Sequence, residues 1–201
     1  MWTVFSVLGI FFFGVISPGA DFSIVVKNSL TQGRKEGLLT ALGVSTGVFI
    51  HLAYSILGLG LLIGNNPSVI HWIKILGGSY LIYLGLRSII STTIELKPED
   101  KKNKIKTKRS WYYEGLLTNL LNPQAALFLI SIISSMIADN ELMIVALAGF
   151  TMTLMALSWF TIVSVIFSFK AMSSRFLQHT RLINRMLGLV LIAFGLRILI
   201  L

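Results

Sequence analysis

Long apolar runs separated by shorter polar segments make up most of this 201-residue chain. A helix that crosses a membrane needs about 20 mostly apolar residues. By this criterion the pattern predicts six transmembrane helices, of which the last is short for a full crossing. The predicted spans are residues 2–26, 38–62, 69–91, 112–137, 142–169 and 184–201.

Two of the predicted spans are interrupted by a polar residue followed by proline. The first contains Ser17-Pro18-Gly19 and the fourth contains Asn122-Pro123. Ser and Asn are favoured N-cap residues, and Pro is favoured at the first helical position. We therefore expect a half-helix to begin at each break, inside the bilayer. A simple kink is the alternative, because proline is common in membrane helices.

The composition is that of a membrane protein. Hydrophobic residues make up 55% of the chain and charged residues 12%, with a mean hydropathy of +0.82. Soluble domains have about 25% charged residues. We therefore predict one all-α integral membrane domain, residues 1–201, whose first apolar run is a retained span rather than a signal peptide. The absence of cysteine excludes disulfides and thiol chemistry.

The net charge of +9 is explained by the loops and does not require a nucleic-acid partner. Fifteen of the 17 Lys and Arg residues lie in or beside the first, third and fifth predicted loops. Loops rich in Lys and Arg face the cytoplasm, so both termini are expected outside. The basic segment 97–109 is interpreted as a solvated linker, and anionic lipid headgroups are an alternative ligand for it.

The two halves of the chain share a pattern. The stretch LGGSYLIYLGLRSII (76–90) aligns with MLGLVLIAFGLRILI (186–200) at an offset of 110 residues, and the proline breaks align at an offset of 105. An odd number of spans per half would invert the second half, as in many secondary transporters. The prediction is a repeat over 1–92, a basic cytoplasmic linker over 93–111 and a repeat over 112–201. Chance similarity between Leu-rich helices is the alternative.

The broken helices predict a binding site near the middle of the bilayer. Helix starts carry unpaired N–H groups and partial positive charge, which suit a carboxylate. Asp21 is the one acidic residue of eight that lies well inside a predicted span. An intramembrane carboxylate is a functional hypothesis by default, here for a proton or for the ammonium group of a substrate. The alternative is a structural partner for the adjacent helix start.

Other polar residues within the predicted spans extend this candidate site. His51 continues the face of Gly43 and Gly47, a spacing typical of close helix packing. It is either a structural histidine or a group that titrates near neutral pH and couples to the intramembrane carboxylate. Asn119 and Asn122 lie on one side of the fourth span, and Asn122 is expected to act first as a helix cap.

Two stretches, residues 17–51 and 115–131, resemble the lysine exporter superfamily, specifically the homoserine/threonine resistance exporter branch (LysE/RhtB). The likeness extends over essentially the whole chain. It implies export of amino acids or close derivatives across a bacterial plasma membrane by proton antiport without ATP, and it is compatible with homo-oligomers. Family members commonly have SPGP and NPK where this chain has Ala20 and Gln124, which leaves substrate choice and coupling open.

The sequence thus predicts a secondary active exporter, not an enzyme, with amino acids and protons as its small partners and with no cofactor or metal. A passive channel or a membrane scaffold for partner proteins is the alternative. An intramembrane enzyme is disfavoured because the chain has no HExxH, no GxSxG and no second mid-span carboxylate. The predicted substrate-binding or coupling residues are Ser17, Pro18, Gly19, Asp21, His51, Asn119, Asn122, Pro123 and Gln124.

Overall fold

The computed structural model describes residues 2–65, 67–90, 108–137 and 140–200. Within these residues the chain forms eight α-helices and no strand. Residues 97–107, where lipid binding by the linker is predicted, lie outside the described part. In chain order the helices are α1 (Trp2–Ile16), α2 (Ala20–Thr31), α3 (Arg34–Asn65), α4 (Pro67–Ile90), α5 (Lys108–Leu120), α6 (Pro123–Ile137), α7 (Leu142–Phe167) and α8 (Lys170–Ile200).

Several of these helices have the length and apolarity of membrane spans. The segment Arg34–Leu59 of α3 and the whole of α7 are each sufficient to cross a bilayer. The pairs α1–α2 and α5–α6 meet the same criterion when each bent pair is counted together. The described residues therefore form an all-helical integral membrane protein with two to four candidate spans. Large apolar side chains such as Phe49, Leu57 and Phe150 face outward, as lipid-facing residues do.

Serine and threonine side chains inside the long helices are satisfied locally. Ser45 donates to the carbonyl of Ala41, and Thr151 donates to that of Leu147, at 2.8 Å in both cases. A hydroxyl that bonds one turn back within its own helix leaves no unpaired polar group in the hydrocarbon. These hydroxyls therefore give no indication of a binding site. The polar residues at the helix breaks differ from them, because Asp21 and Asn119 are bonded between helices.

Both predicted helix breaks are present. Helices α1 and α2 are bent by 49° and α5 and α6 by 60°. Helix α6 begins at Pro123, as predicted. Helix α2 instead begins at Ala20 with Gly19 as its N-cap, so the prediction that Ser17 caps the second half-helix is wrong. The amide of Ser17 donates to the carbonyl of Gly14 at 3.2 Å, so Ser17 closes the preceding helix.

Several helices extend beyond their predicted spans. Helix α5 begins at Lys108, inside the predicted linker, and α8 begins at Lys170, well before the predicted span 184–201. Hydropathy locates the part of a helix that suits lipid, whereas helical hydrogen bonding continues through polar residues. The predicted loop between the fifth and sixth spans is therefore largely helical.

Helices α4 and α8 pack against each other through glycines. A Cβ atom on Gly85 would lie 2.5 Å from the carbonyl oxygen of Gly188, and one on Gly195 would lie 2.6 Å from that of Gly78. No side chain fits at these positions, so the two backbones are in direct contact. Lipid tails are as apolar as leucine, and helix association in membranes therefore depends on such close backbone approach.

Substitution of Gly85 by alanine is expected to lower the thermal stability of the purified protein in detergent. The added methyl group meets backbone atoms of α8 that cannot move alone, and overpacking of this kind costs about 1–3 kcal/mol. Gly58→Ala is the matched control, because a Cβ there meets nothing within 4 Å. The control should unfold at or slightly above the wild-type temperature, since alanine favours helix. Equal melting temperatures for the two variants would contradict the packing argument.

Candidate functional site

A cavity of about 770 Å³ lies where the two helix breaks meet. Its wall is built from the ends of α1, α2, α5 and α6, with additional residues from the other four helices. The structure thus brings together two segments that lie about a hundred residues apart in the sequence. The predicted site residues that line it are Ser17, Pro18, Gly19, Asp21, Asn119, Asn122, Pro123 and Gln124.

Asp21 lies in the first turn of α2, and its carboxylate is held from α5. The side-chain amide of Asn119 donates to Oδ2 of Asp21 at 2.8 Å. The other oxygen, Oδ1, is buried and has no hydrogen-bond partner among the described residues. Buried polar atoms are normally paired. Oδ1 of Asp21 is therefore available to a proton or to a donor group of a ligand.

Asn119 connects the carboxylate to the helices behind the cavity. It is completely buried, and its backbone carbonyl oxygen accepts a hydrogen bond from the backbone N–H of Asn122 at 3.0 Å. The same oxygen lies 3.1 Å from Nε2 of His51 on α3. Gly47 provides the space, since a Cβ there would lie 2.9 Å from the Cβ of Asn119 and would overlap its Oδ1. The predicted close packing at Gly47 is thus confirmed, and it makes room for the side chain of Asn119, a predicted site residue.

His51 lies behind the cavity and does not line it. Its exposed fraction is 2%. A carbonyl oxygen can only accept, so Nε2 of His51 carries the hydrogen in its contact with Asn119. In the neutral ring Nδ1 is then the acceptor, and the hydroxyl of Tyr54 donates to it. His51 is thereby linked to Asp21 through Asn119.

The second helix start is capped as predicted. Oδ1 of Asn122 accepts from the backbone amide of Gln124 at 3.1 Å, which is the N-cap bond of α6. At the first break, Gly19 supplies no capping side chain, and its carbonyl accepts from the amide of Ser23 at 2.9 Å. Both helix N-termini carry partial positive charge and both face the same cavity.

The cavity extends from the breaks to one end of the helix bundle. At that end Lys27 of α2 and Glu114 of α5 form an ion pair at 3.8 Å. The hydroxyl of Ser88 on α4 donates to the carbonyl of Asn184 on α8 at 2.9 Å. Lys27, Ser88, Asn184 and the neighbouring Arg87 all line the cavity. This is the end of the bundle to which the basic first and third loops connect.

Aromatic side chains form the cavity wall on the other side of the breaks. The ring of Phe128 on α6 packs directly on the backbone of Gly14, where a Cβ would overlap the ring. Phe128 is 8% exposed and Phe11 is 2% exposed, and both belong to the wall. Helices α1 and α6 therefore cross in contact at this level.

Sequence reasoning missed Lys27, Arg87, Ser88, Asn184 and Tyr54. Tyr54 had a local signal, because a residue three positions after His51 lies next to it on a helix. Arg87 lies in the stretch 76–90 that aligns with 186–200, and nothing in the sequence places it beside a cavity. The remaining three have ordinary positions in polar segments or near helix ends.

Comparison with known proteins identifies a family and several full-length relatives. The family model described as LysE type translocator matches residues 12–201. A threonine efflux protein of Escherichia coli K12 is 30% identical over 190 residues, 92% of each chain. The uncharacterized membrane protein YrhP of Bacillus subtilis is also 30% identical, over 193 residues and 91% of each chain. No solved structure matches the chain.

The contact between Asp21 and Asn119 should appear as an energetic coupling. Asp21→Ala, Asn119→Ala and the double variant are unfolded in detergent, and their free energies of unfolding are compared. Residues in one hydrogen-bond network couple by about 0.5–3 kcal/mol. The control pair is Asp21→Ala with Asn28→Ala, because Asn28 bonds Thr40 at 3.0 Å and lies about two turns away on α2. Additive effects for the first pair would show that the hydrogen bond has no energetic weight.

Proposed function

The chain belongs to the LysE type translocator family, and we propose that it exports amino acids or close derivatives across the bacterial plasma membrane in exchange for protons. Family membership and relatives named threonine efflux protein make it a transporter rather than an enzyme. The observation that carries the exchange mechanism is the carboxylate of Asp21 at a helix break, whose Oδ1 is buried and has no hydrogen-bond partner among the described residues.

The helix starts supply the proposed contact for the substrate's carboxylate. Helices α2 and α6 both begin in the cavity wall, with Gly19 and Asn122 as their N-cap residues. First-turn N–H groups and the helix dipole favour an anion, and discontinuous membrane helices hold carboxylates in this way in other transporters. The glycine cap at α2 exposes that backbone more fully than a side-chain cap would.

Asp21 supplies the proposed coupling. A proton and a substrate's ammonium group are both cations that a buried carboxylate accepts, and one Asp21 side chain holds either of them at a time. Release of the substrate outside would then be followed by uptake of a proton. The side-chain amide of Asn119 holds the carboxylate in place, and His51 contacts the backbone carbonyl of the same residue.

The proposed architecture is six spans in two inverted repeats, over 1–92 and 112–201. The glycine contacts of α4 and α8 support it, because they are reciprocal: Gly85 approaches Gly188, and Gly78 approaches Gly195. In the sequence alignment Gly78 corresponds to Gly188 and Gly85 to Gly195. A two-fold axis between equivalent helices requires this exchange of partners.

In the proposed orientation the basic loops face the cytoplasm and both termini lie outside. The cavity then reaches toward the cytoplasm, from which an exporter collects its substrate. The proposed partners are an amino acid and protons. Homo-oligomers, and anionic lipid at 97–109, stay predictions from the sequence.

Inside-out vesicles with an acidic lumen are expected to accumulate labelled amino acids from a panel that includes threonine. Protons leaving the lumen exchange for substrate entering it, so collapse of the gradient should stop accumulation. Asp21→Asn keeps the shape of the side chain and removes its acid, so accumulation should fall to the level of vesicles without the protein. Glu141→Gln, which removes an exposed carboxylate at the start of α7, should behave as wild type.

Other outcomes separate the alternatives. Uptake by the wild type that ignores the gradient would point to a passive channel. Wild-type accumulation in Asp21→Asn would remove Asp21 from the coupling path and leave the helix starts as the site. No uptake of any amino acid would leave the scaffold interpretation.

The orientation is tested by labelling introduced cysteines, since the chain has none of its own. Lys35→Cys and Glu141→Cys replace exposed residues at the starts of α3 and α7. A membrane-impermeant maleimide should label Glu141→Cys in right-side-out vesicles and Lys35→Cys in inside-out vesicles. Labelling of both from the same face would overturn the proposed topology.

A further inference from the structure

Among the described residues, three ionisable side chains line the cavity: Asp21, Lys27 and Arg87. The carboxylate of Asp21 is the negative group. The positive charge of Lys27 is opposed by Glu114, whose Oε1 lies 3.8 Å from its Nζ. Arg87 has no carboxylate in ion-pair contact among the described residues, and its side chain is exposed. Arg87 is therefore the uncompensated cation of the described cavity wall.

A cation at this place matters because the substrate's carboxylate has few other partners in the wall. The residue after Pro123 is Gln124, so the start of α6 offers backbone donors and a neutral amide. A guanidinium presents planar, paired N–H donors that match the two oxygens of a carboxylate. Ser88, next to Arg87 in the chain, adds a hydroxyl to the same part of the wall.

We propose that Arg87 binds the carboxylate of the substrate where it enters the cavity, and so selects substrates that carry a free carboxylate. This inference rests on the proposed function, since it assumes that amino acids are the cargo. Arg87 lies at the same end of the cavity as the Lys27–Glu114 ion pair, at the opposite end from the Phe128–Gly14 contact. The carboxylate meets Arg87 first and reaches the helix starts afterwards.

A residue at the entrance of the cavity affects the rate at which substrate is bound from solution. Loss of its charge lowers kcat/KM for a carboxylate substrate more than it lowers kcat. The attraction also depends on ionic strength, because exposed charges are screened over about 8–10 Å at physiological salt. Lysine in place of Arg87 retains the attraction at a distance and loses the paired donors, so its effect falls between wild type and a neutral residue.

The chain contains a matched control arginine. Arg197 corresponds to Arg87 in the repeat alignment and occupies the same position near the C-terminal end of its helix. It does not belong to the cavity wall, and its Nη1 donates to Oγ of Ser6 at 2.9 Å. Arg197→Gln removes the same charge from an equivalent helix without touching the cavity.

The experiment compares three free amino acids with their amides in inside-out vesicles: threonine, leucine and lysine, each with its carboxamide. Initial rates are measured for wild type, Arg87→Gln, Arg87→Lys and Arg197→Gln at low and high salt, and melting temperatures in detergent check folding. For each free acid that wild type transports, Arg87→Gln should reduce kcat/KM about tenfold or more, as loss of a charged hydrogen bond does. The transport rate of Arg87→Gln should depend less on salt than that of wild type. Arg87→Gln should transport the amides no more slowly than wild type does. Arg197→Gln should match wild type for every substrate.

The outcomes are distinguishable from failure of the proposed function. If wild type transports none of the free acids, the amino-acid assignment fails and the inference falls with it. If wild type transports a free acid and Arg87→Gln leaves its kcat/KM and salt dependence unchanged, the role of Arg87 alone is overturned. If Arg87→Gln does not fold, the proposal is tested by two other results. These are the kcat/KM of Arg87→Lys and the preference of wild type for the free acid over its amide. Equal transport of acid and amide by wild type would contradict the proposal.

Discussion

The structure depends on one constraint: a backbone amide or carbonyl in the interior of a bilayer has to be hydrogen-bonded by the protein or face a polar cavity. Helices α1 and α5 both stop before their spans are complete, at Ile16 and Leu120. A break in one helix alone would expose peptide groups to lipid. Here the two breaks face each other, so that the peptide groups they release line a shared cavity. The cavity is thus what makes the interruptions tolerable, and the interruptions give it polar walls.

Enclosing that cavity requires helices that approach more closely than ordinary side chains allow. Gly47 admits the side chain of Asn119, Gly14 lies under the ring of Phe128, and glycines join α4 to α8. On the proposed repeat alignment Asp21 corresponds to Ala126, and Asn119 corresponds to Gly14. If this alignment holds, the two halves share a backbone pattern and differ in their polar side chains, with the carboxylate in one half and the amide that holds it in the other.

Helix starts and caps formed by neighbouring residues could be predicted from the sequence. Contacts between residues that are distant in the chain could not. Asn122 and Pro123 begin α6 as their intrinsic preferences indicate, because cap and helix are adjacent in the chain. Ser17 has the same N-cap preference, but its backbone N–H donates to a carbonyl in the last turn of α1, so it ends that helix instead of capping α2. His51 was singled out as a buried polar residue, yet its contact with the carbonyl of Asn119 joins positions 68 residues apart. No local pattern specifies that pairing.

The charges in the cavity wall are consistent with a zwitterionic cargo. With Lys27 opposed by Glu114, the described wall contains one carboxylate, Asp21, and one uncompensated guanidinium, Arg87. An ion of either sign entering alone would gain one attraction and meet one repulsion. A molecule with both an ammonium and a carboxylate group can use each in turn as it moves from the entrance to the helix breaks.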